Sequence, residues 1–268
     1  MPRTIIAGNW KMHKNTVEAR LLMQGIVDGI KHGRLLPEIV VCPPFTCLQD
    51  VLAVSSRTPI KVGAQNMDYR DEGAFTGEVA PTMLTDLGVH YIIIGHSERR
   101  KLFSETDANV NLKLIAALKH KLNPIVCVGE TLAEREAGLT DSVITHQVTA
   151  ALVDITRPDI SPLIIAYEPL WAIGTGKDCP VQEANRVAAV IRAAIDKLFN
   201  AKAETGETSL GSTLPILYGG SVTSSTIDEL MNEPQINGAL VGGASLRAKE
   251  FLPIIMGGVP RPRLTPAR

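Results

Sequence analysis

A carboxylate stands at the end of an apolar run in the segment Ala166-Tyr-Glu-Pro-Leu-Trp-Ala-Ile-Gly-Thr-Gly-Lys177. The run, Leu163-Ile-Ile-Ala-Tyr167, reads as a buried strand, and Pro169 blocks regular structure just after Glu168. A short loop follows, with Trp171 at one end and Gly174 and Gly176 at its tip. A base on a rigid strand end, next to a bulky and glycine-tipped loop, is what a water-excluding lid over a proton-transfer site requires. Glu168 taken alone fits a capped strand and an ordinary turn equally well. The segment as a whole is more specific than its parts.

Similar groups follow other apolar runs. Asn9 and Lys11 come after the first, His96 and Glu98 after the fourth, Gly219-Gly-Ser221 after the seventh and Gly242-Gly243 after the eighth. Diglycines let backbone N–H groups come close to an anionic ligand such as phosphate. Singly, each is weak: a Gly-Gly is usually a plain turn, and His96 fits a structural histidine. Several other motifs fail. Gly95-His-Ser-Glu-Arg99 begins like a hydrolase elbow, but Arg99 replaces its second glycine. Gly176-Lys177 is followed by Asp178, not by the Ser or Thr of a phosphate loop, and Cys179 breaks a dinucleotide fingerprint. The six histidines include no metal-ligand spacing on one helix face, so no metal is expected. A Schiff-base mechanism would need a lysine where Glu168 stands.

These groups need elements to bring them together. Eight apolar runs recur: Thr4–Gly8, Glu38–Cys42, Ile60–Ala64, Tyr91–Gly95, Ile125–Val128, Leu163–Tyr167, Ile216–Tyr218 and Ala239–Val241. Most are continuous and rich in Ile and Val, as parallel strands buried on both faces are. Helical periodicity lies between them. Thr16 to Ile30 puts Val17, Leu21, Ile26 and Ile30 on one side, and Ala108 to Leu122 repeats Val110, Leu114, Ala117 and Leu118. Ser104 and Asp107 predict a capping box for the second of these helices. The alternation predicts an α/β protein, a (β/α)8 barrel in a single domain over residues 1–257; an open doubly wound sheet is the other arrangement that fits. In a barrel, the polar groups named above would share one face. Residues 258–268 carry three prolines and three arginines and are expected to form a disordered tail.

Composition narrows the function classes. Basic and acidic residues number 27 and 28, which implies no nucleic-acid partner. Arg99-Arg100-Lys101 is expected to be a solvated helix face. No apolar run is long enough to span a membrane, and the four apolar residues before Asn9 are too few for a signal peptide. Cys42, Cys47, Cys127 and Cys179 form no C-x-x-C pair, so free thiols in the cytoplasm are expected.

Seven segments, in order along nearly the whole chain, resemble the triosephosphate isomerase family. They are Ala7-Gly-Asn-Trp-Lys-Met12, Gly63-Ala-Gln-Asn66, Ile94-Gly-His-Ser-Glu-Arg-Arg100, Cys127-Val-Gly-Glu130, Ala166 to Lys177, Tyr218-Gly-Gly-Ser221 and Leu240-Val-Gly-Gly-Ala244. The resemblance implies the TIM barrel and a cofactor-free aldose–ketose isomerase of glycolysis and gluconeogenesis. It would interconvert dihydroxyacetone phosphate and glyceraldehyde 3-phosphate. A paralogue acting on a four-carbon ketose phosphate and a non-catalytic phosphosugar-binding barrel are the alternatives. The second has no use for a base opposite an electrophile.

Carried onto this chain, the resemblance makes Glu168 the base and His96 the neutral electrophile, the latter at the opening of a short helix Ser97-Glu-Arg-Arg100. Lys11 would supply fixed positive charge, held by Glu98, and Asn9 would orient the enediolate. The N–H groups of Gly174, Ser221 and Gly243 would grip the phosphate, Gly242 allowing the turn, and Tyr218 would bond the closed lid. Asp178 and Cys179 depart from the small residues expected in the lid's trailing hinge. Residues 65–80 form a long aperiodic loop whose Met67, Tyr69 and Phe75 are expected to be solvent-exposed on a single subunit and to mark an interface. The resemblance implies a homodimer through this loop, with Thr76 near the partner's site.

Overall fold

The computed structural model describes residues 2–30, 35–173, 178–200 and 209–259. Eight parallel strands close into one barrel in chain order, which rules out the open sheet. They are β1 (Ile5–Asn9), β2 (Glu38–Cys42), β3 (Lys61–Ala64), β4 (Tyr91–Ile94), β5 (Asn123–Val128), β6 (Ile164–Tyr167), β7 (Ile216–Tyr218) and β8 (Gly238–Val241). Closure comes from β1 against β8, where Ile5 stands opposite Gly238 and Gly8 opposite Val241. At Gly238, with φ +146°, a Cβ would lie 1.8 Å from the Ile5 carbonyl oxygen, so only glycine permits that seam.

The strands read as continuous apolar runs because both faces are buried. Ile5, Ala7, Val40, Cys42, Tyr91, Ile93, Ile125, Cys127, Ile164, Ala166, Leu217 and Leu240 fill the barrel interior. The alternate residues, among them Ile6, Val41, Ile92, Val126 and Ile165, pack outward against the helices. The period-two alternation has a consequence for the site. Continuing the inward positions past the strand ends gives Asn9 and Lys11 after Ala7, Glu168 after Ala166, Gly219 after Leu217 and Gly242 after Leu240. Most of the chemistry occupies the next rung of the barrel's own lining; His96, out of step with the inward Tyr91 and Ile93, is the exception.

Helices cover the outside, and their details correct several expectations. In α1 (Thr16–Gly29) the buried face is Ala19, Leu22, Met23 and Ile26, whereas Val17 and Leu21 are 65% and 69% exposed. The helix capping box is made by Asn15 and Glu18. The helix Asp107–Lys119 is capped two residues later than its sequence suggests, by Thr106 and Asn109. Ser104 instead adopts left-handed backbone, with φ +54°, in the turn before it. In the run Arg99-Arg100-Lys101 only Lys101 is exposed to solvent as expected. Arg99 pairs with Glu105 at 2.8 Å, and Arg100 bonds the Gly95 carbonyl at 2.8 Å and Asp107 at 2.5 Å. Gly258 is a buried helix end, its N–H bonded to the Ile254 carbonyl; residues 260–268 lie outside the described residues.

Candidate active site

A cavity of about 450 Å3 opens at the C-terminal end of the barrel. Asn9, Lys11, His96, Glu168, Gly219, Gly220, Ser221, Gly242 and Gly243 all border it. Glu98 pairs with Lys11 just outside, and Tyr218 lies buried behind the glycine turn. Gly174 and the lid tip to Lys177 fall outside the described residues. Thr76 sits exposed on its loop and does not reach this chain's own cavity.

Glu168 is 2% exposed. Its Oε2 accepts the Ser97 N–H at 2.9 Å and its Oε1 lies 3.0 Å from His96 Nε2, while the Cys127 thiol of the barrel lining favours its charged form. Burial pushes the carboxyl's pKa up, but His96, the Ser97 N–H and Cys127 together hold it below the ordinary glutamate value. Room for this carboxylate depends on Gly219, where a Cβ would lie 2.8 Å from Glu168 Cγ.

His96 is the N-cap of the helix Ser97–Leu102, and its Nδ1 accepts the Glu98 N–H at 3.2 Å. An Nδ1 that accepts carries no proton, so the neutral ring keeps its hydrogen on Nε2, aimed at Glu168. Burial lowers the imidazole pKa, but the adjacent Glu168 carboxylate more than offsets it and leaves His96 above its ordinary value. The helix therefore selects the tautomer, while in this resting arrangement the neighbouring carboxylate governs the affinity for a second proton.

Lys11 adopts left-handed backbone, with φ +52°. Its Nζ meets Glu98 Oε1 at 2.6 Å, and its N–H is taken by Asn9 Oδ1 at 3.0 Å. The cation thus stands on the same cavity as the imidazole and the carboxylate. Among the described residues, no group of three His, Cys, Asp or Glu side chains comes together in a way that could hold a metal ion.

The sequence profile of "Triosephosphate isomerase" matches residues 4–257. The chain belongs to the triosephosphate isomerase family. Relatives bearing that name include one from Clostridium tetani, 49% identical over 94% of this chain and 96% of its own length. Others are those of Chloroflexus aurantiacus, 49% identical over 94% of this chain and 97% of its own, and Gloeobacter violaceus, 50% over 95% and 98%.

A second layer of residues, with no local sequence pattern, lies behind these groups. Glu130 is fully buried and accepts bonds from Tyr167 O–H at 3.1 Å and Trp171 Nε1–H at 2.8 Å, tying the start of the lid to β5. Arg135 stacks over the Trp171 ring at 4.1 Å and pairs with Glu183 at 2.9 Å beyond the lid. Behind the trailing side, Tyr218 and Cys179 line one cavity, and burial pushes the Cys179 thiol pKa up to about 12. A buried glutamate after a strand, as in Cys127-Val-Gly-Glu130, was the available signal. It looked like an ordinary loop residue because its partners are about 40 positions away.

Proposed function

We propose that this chain interconverts dihydroxyacetone phosphate and D-glyceraldehyde 3-phosphate through an enediolate, with no cofactor. One observation carries the reading within this family: a buried carboxylate, an imidazole and an ammonium group border one cavity whose far side is glycine-rich backbone. Glu168 removes the proton from C1 of the ketose while His96 Nε2–H polarises the C2 carbonyl. The enediolate forms, a proton passes between O2 and O1 through His96, and Glu168 returns its proton to C2. Lys11 stabilises the negative charge that builds on the oxygens, and Asn9 orients them. This division of labour is the family's well-known one, carried over rather than deduced from this cavity.

The phosphate rests on the N–H groups of Ser221 and Gly243, with Gly242 shaping the turn, and on Gly174 of the lid. Tyr218 steadies the lid's trailing side. Parallel kinetics on three- and four-carbon ketose phosphates, after exhaustive chelation, test the proposal. Turnover of the three-carbon substrate at an undiminished rate is expected. Loss of activity on chelation, or a preference for the four-carbon substrate, would refute it.

The working form is a homodimer joined through residues 65–80, with Thr76 next to the partner's cavity. Met67 belongs to this chain's own core and Tyr69 packs half-buried against it, contrary to their expected exposure, so the interface reading rests on other side chains. Met12 is 94% exposed, and with Phe45 and Phe103 it rims an opening beside Gln65. Phe75 is exposed at the loop's turn, covered on one face by Arg70. Phe75→Asp is expected to give monomers with activity reduced by at least ~10-fold. A fully active monomer in sedimentation would refute the assembly. Free, buried thiols support a cytoplasmic location. No described helix is long and apolar enough to cross a membrane.

A further inference from the structure

Gln65 occupies the inward position just after β3, in step with Gly63, while Val62 and Ala64 pack outward. Its side-chain amide spans two strand ends. Nε2 donates to the Lys11 carbonyl at 2.8 Å and to the Cys42 carbonyl at 2.9 Å. The first of these carbonyls belongs to the residue with φ +52°. A lysine in left-handed backbone is held against its own preference, and such a conformation persists only where surrounding contacts over-determine it. Here the Asn9 side chain takes the Lys11 N–H at 3.0 Å, and Gln65 takes its C=O. The peptides on both sides of Lys11 are therefore clamped by amide side chains. Both hydrogens of one NH2 group are spent on backbone carbonyls, which neither a carboxylate nor an apolar side chain of that shape can satisfy.

The adjacent residue ties the same point to the histidine. Asn66 Oδ1 accepts from Lys113 Nζ at 2.7 Å, and that ammonium also meets Glu105 Oε2 at 2.7 Å. Glu105 Oε1 in turn accepts the N–H of Gly95, the residue before His96, at 2.9 Å. The root of the 65–80 loop is thus braced to Lys11 on one side and to the peptide preceding His96 on the other.

We propose that Gln65 is a positioning residue for the isomerisation: it holds Lys11 in left-handed backbone so that the ammonium faces the substrate. It also makes that setting depend on how the 65–80 loop is seated. The inference rests on the role assigned to Lys11 above.

Two variants separate positioning from bulk. Gln65→Leu keeps the volume and removes both donors; Gln65→Glu keeps the shape and turns acceptors toward two carbonyls. In both, kcat/KM for dihydroxyacetone phosphate is expected to fall ~10–100-fold, with KM rising more than kcat drops. Affinity for inorganic phosphate as a competitive inhibitor should fall by a similar factor. Added to Lys11→Met, Gln65→Leu should cost less than ~threefold more, because the group it positions is already gone. Full additivity in that background, or kcat/KM within about twofold of wild type in the single variants, overturns the proposal.

The Gln65→Glu variant adds a readout that a merely structural role would not move. Protonating the introduced carboxyl restores one donor, so the deficit relative to wild type should narrow between about pH 8 and pH 5.5. A constant deficit across that range overturns the proposal even if Gln65→Leu fails to fold. Sedimentation of the same samples, at concentrations where variant and wild type share one association state, keeps loss of assembly apart from loss of positioning. Should the wild-type protein not isomerise trioses, the functional reading fails, while the phosphate affinities still report on the clamp.

Discussion

The end of the cavity holding Glu168, His96 and Lys11 is cross-braced by side chains, whereas the end formed by Gly219–Ser221 and Gly242–Gly243 is mostly backbone. At the first end Glu168, His96 and Lys11 are each held by named groups, some from the same segment and some from other strand ends. Ser97 and His96 hold Glu168, the Glu98 N–H holds His96, and Asn9 and Gln65 hold Lys11. At the second end a Cβ added at Gly243 would meet nothing within 4 Å, and one added at Gly242 would first meet Lys11 Cε at 3.5 Å. Proton transfer needs reacting atoms fixed to a fraction of an ångström, which interlocked side chains provide. A phosphate needs close N–H groups and open space, which short glycine turns provide.

The contrast is testable by how steeply each end responds to substitution. At the braced end, Lys11→Met should lower kcat/KM by ~10³, about 4 kcal/mol, with the melting temperature nearly unchanged. Steady-state kinetics and thermal denaturation read the two together, and a loss below tenfold would mean the cation is dispensable.

Glu105 comes next, since it braces Gly95, Arg99 and Lys113 at once. Burial raises its pKa, but the Lys113 and Arg99 partners outweigh that and hold it below the ordinary carboxylate value. The folded state therefore binds fewer protons than the unfolded chain in this range. The stabilisation is fully present above the unfolded pKa of about 4.3 and is lost as pH falls through the lower folded value. Glu105→Gln should cost ~3 kcal/mol at neutral pH by leaving buried charge unpaired. It should also flatten the acid side of the stability curve. Denaturant melts between neutral pH and about pH 3 would contradict this account if both proteins lost stability in parallel.

The smallest effect belongs to the phosphate end. If Ser221 acts through its N–H, Ser221→Ala should change KM by less than about threefold, because the backbone donor remains. A tenfold rise would move the contact to the hydroxyl and make the two ends more alike than proposed.

Much of this was legible in the residues. The barrel followed from eight apolar runs whose continuity signals burial on both faces, and strand boundaries fell within two residues of their observed places. Glu168, His96 and Lys11 stood out because polar residues at strand ends are few and chemically distinct. The bracing did not stand out. Gln65 acts on Lys11 from 54 positions away and Lys113 on Asn66 from 47, and neither distance leaves a local pattern. Helix faces were misjudged where one apolar stripe was wider than the buried one: Val17 and Leu21 look like core and point outward. Arg99 and Arg100 looked solvated because their partners, Glu105, Gly95 and Asp107, come together only when the turn at Ser104 folds back.

The central claim is that the Glu168 carboxylate moves the proton within a cavity that binds phosphate by other means. Glu168→Gln preserves size and hydrogen bonding and removes the acceptor. The direct measurement is turnover of dihydroxyacetone phosphate by the purified variant, with inorganic phosphate inhibition of wild type and direct phosphate binding to the variant alongside. Turnover should fall by at least ~10³ while phosphate affinity stays within a few-fold of wild type. Ordinary turnover by the variant would contradict the assignment of the base, and with it the account of the site.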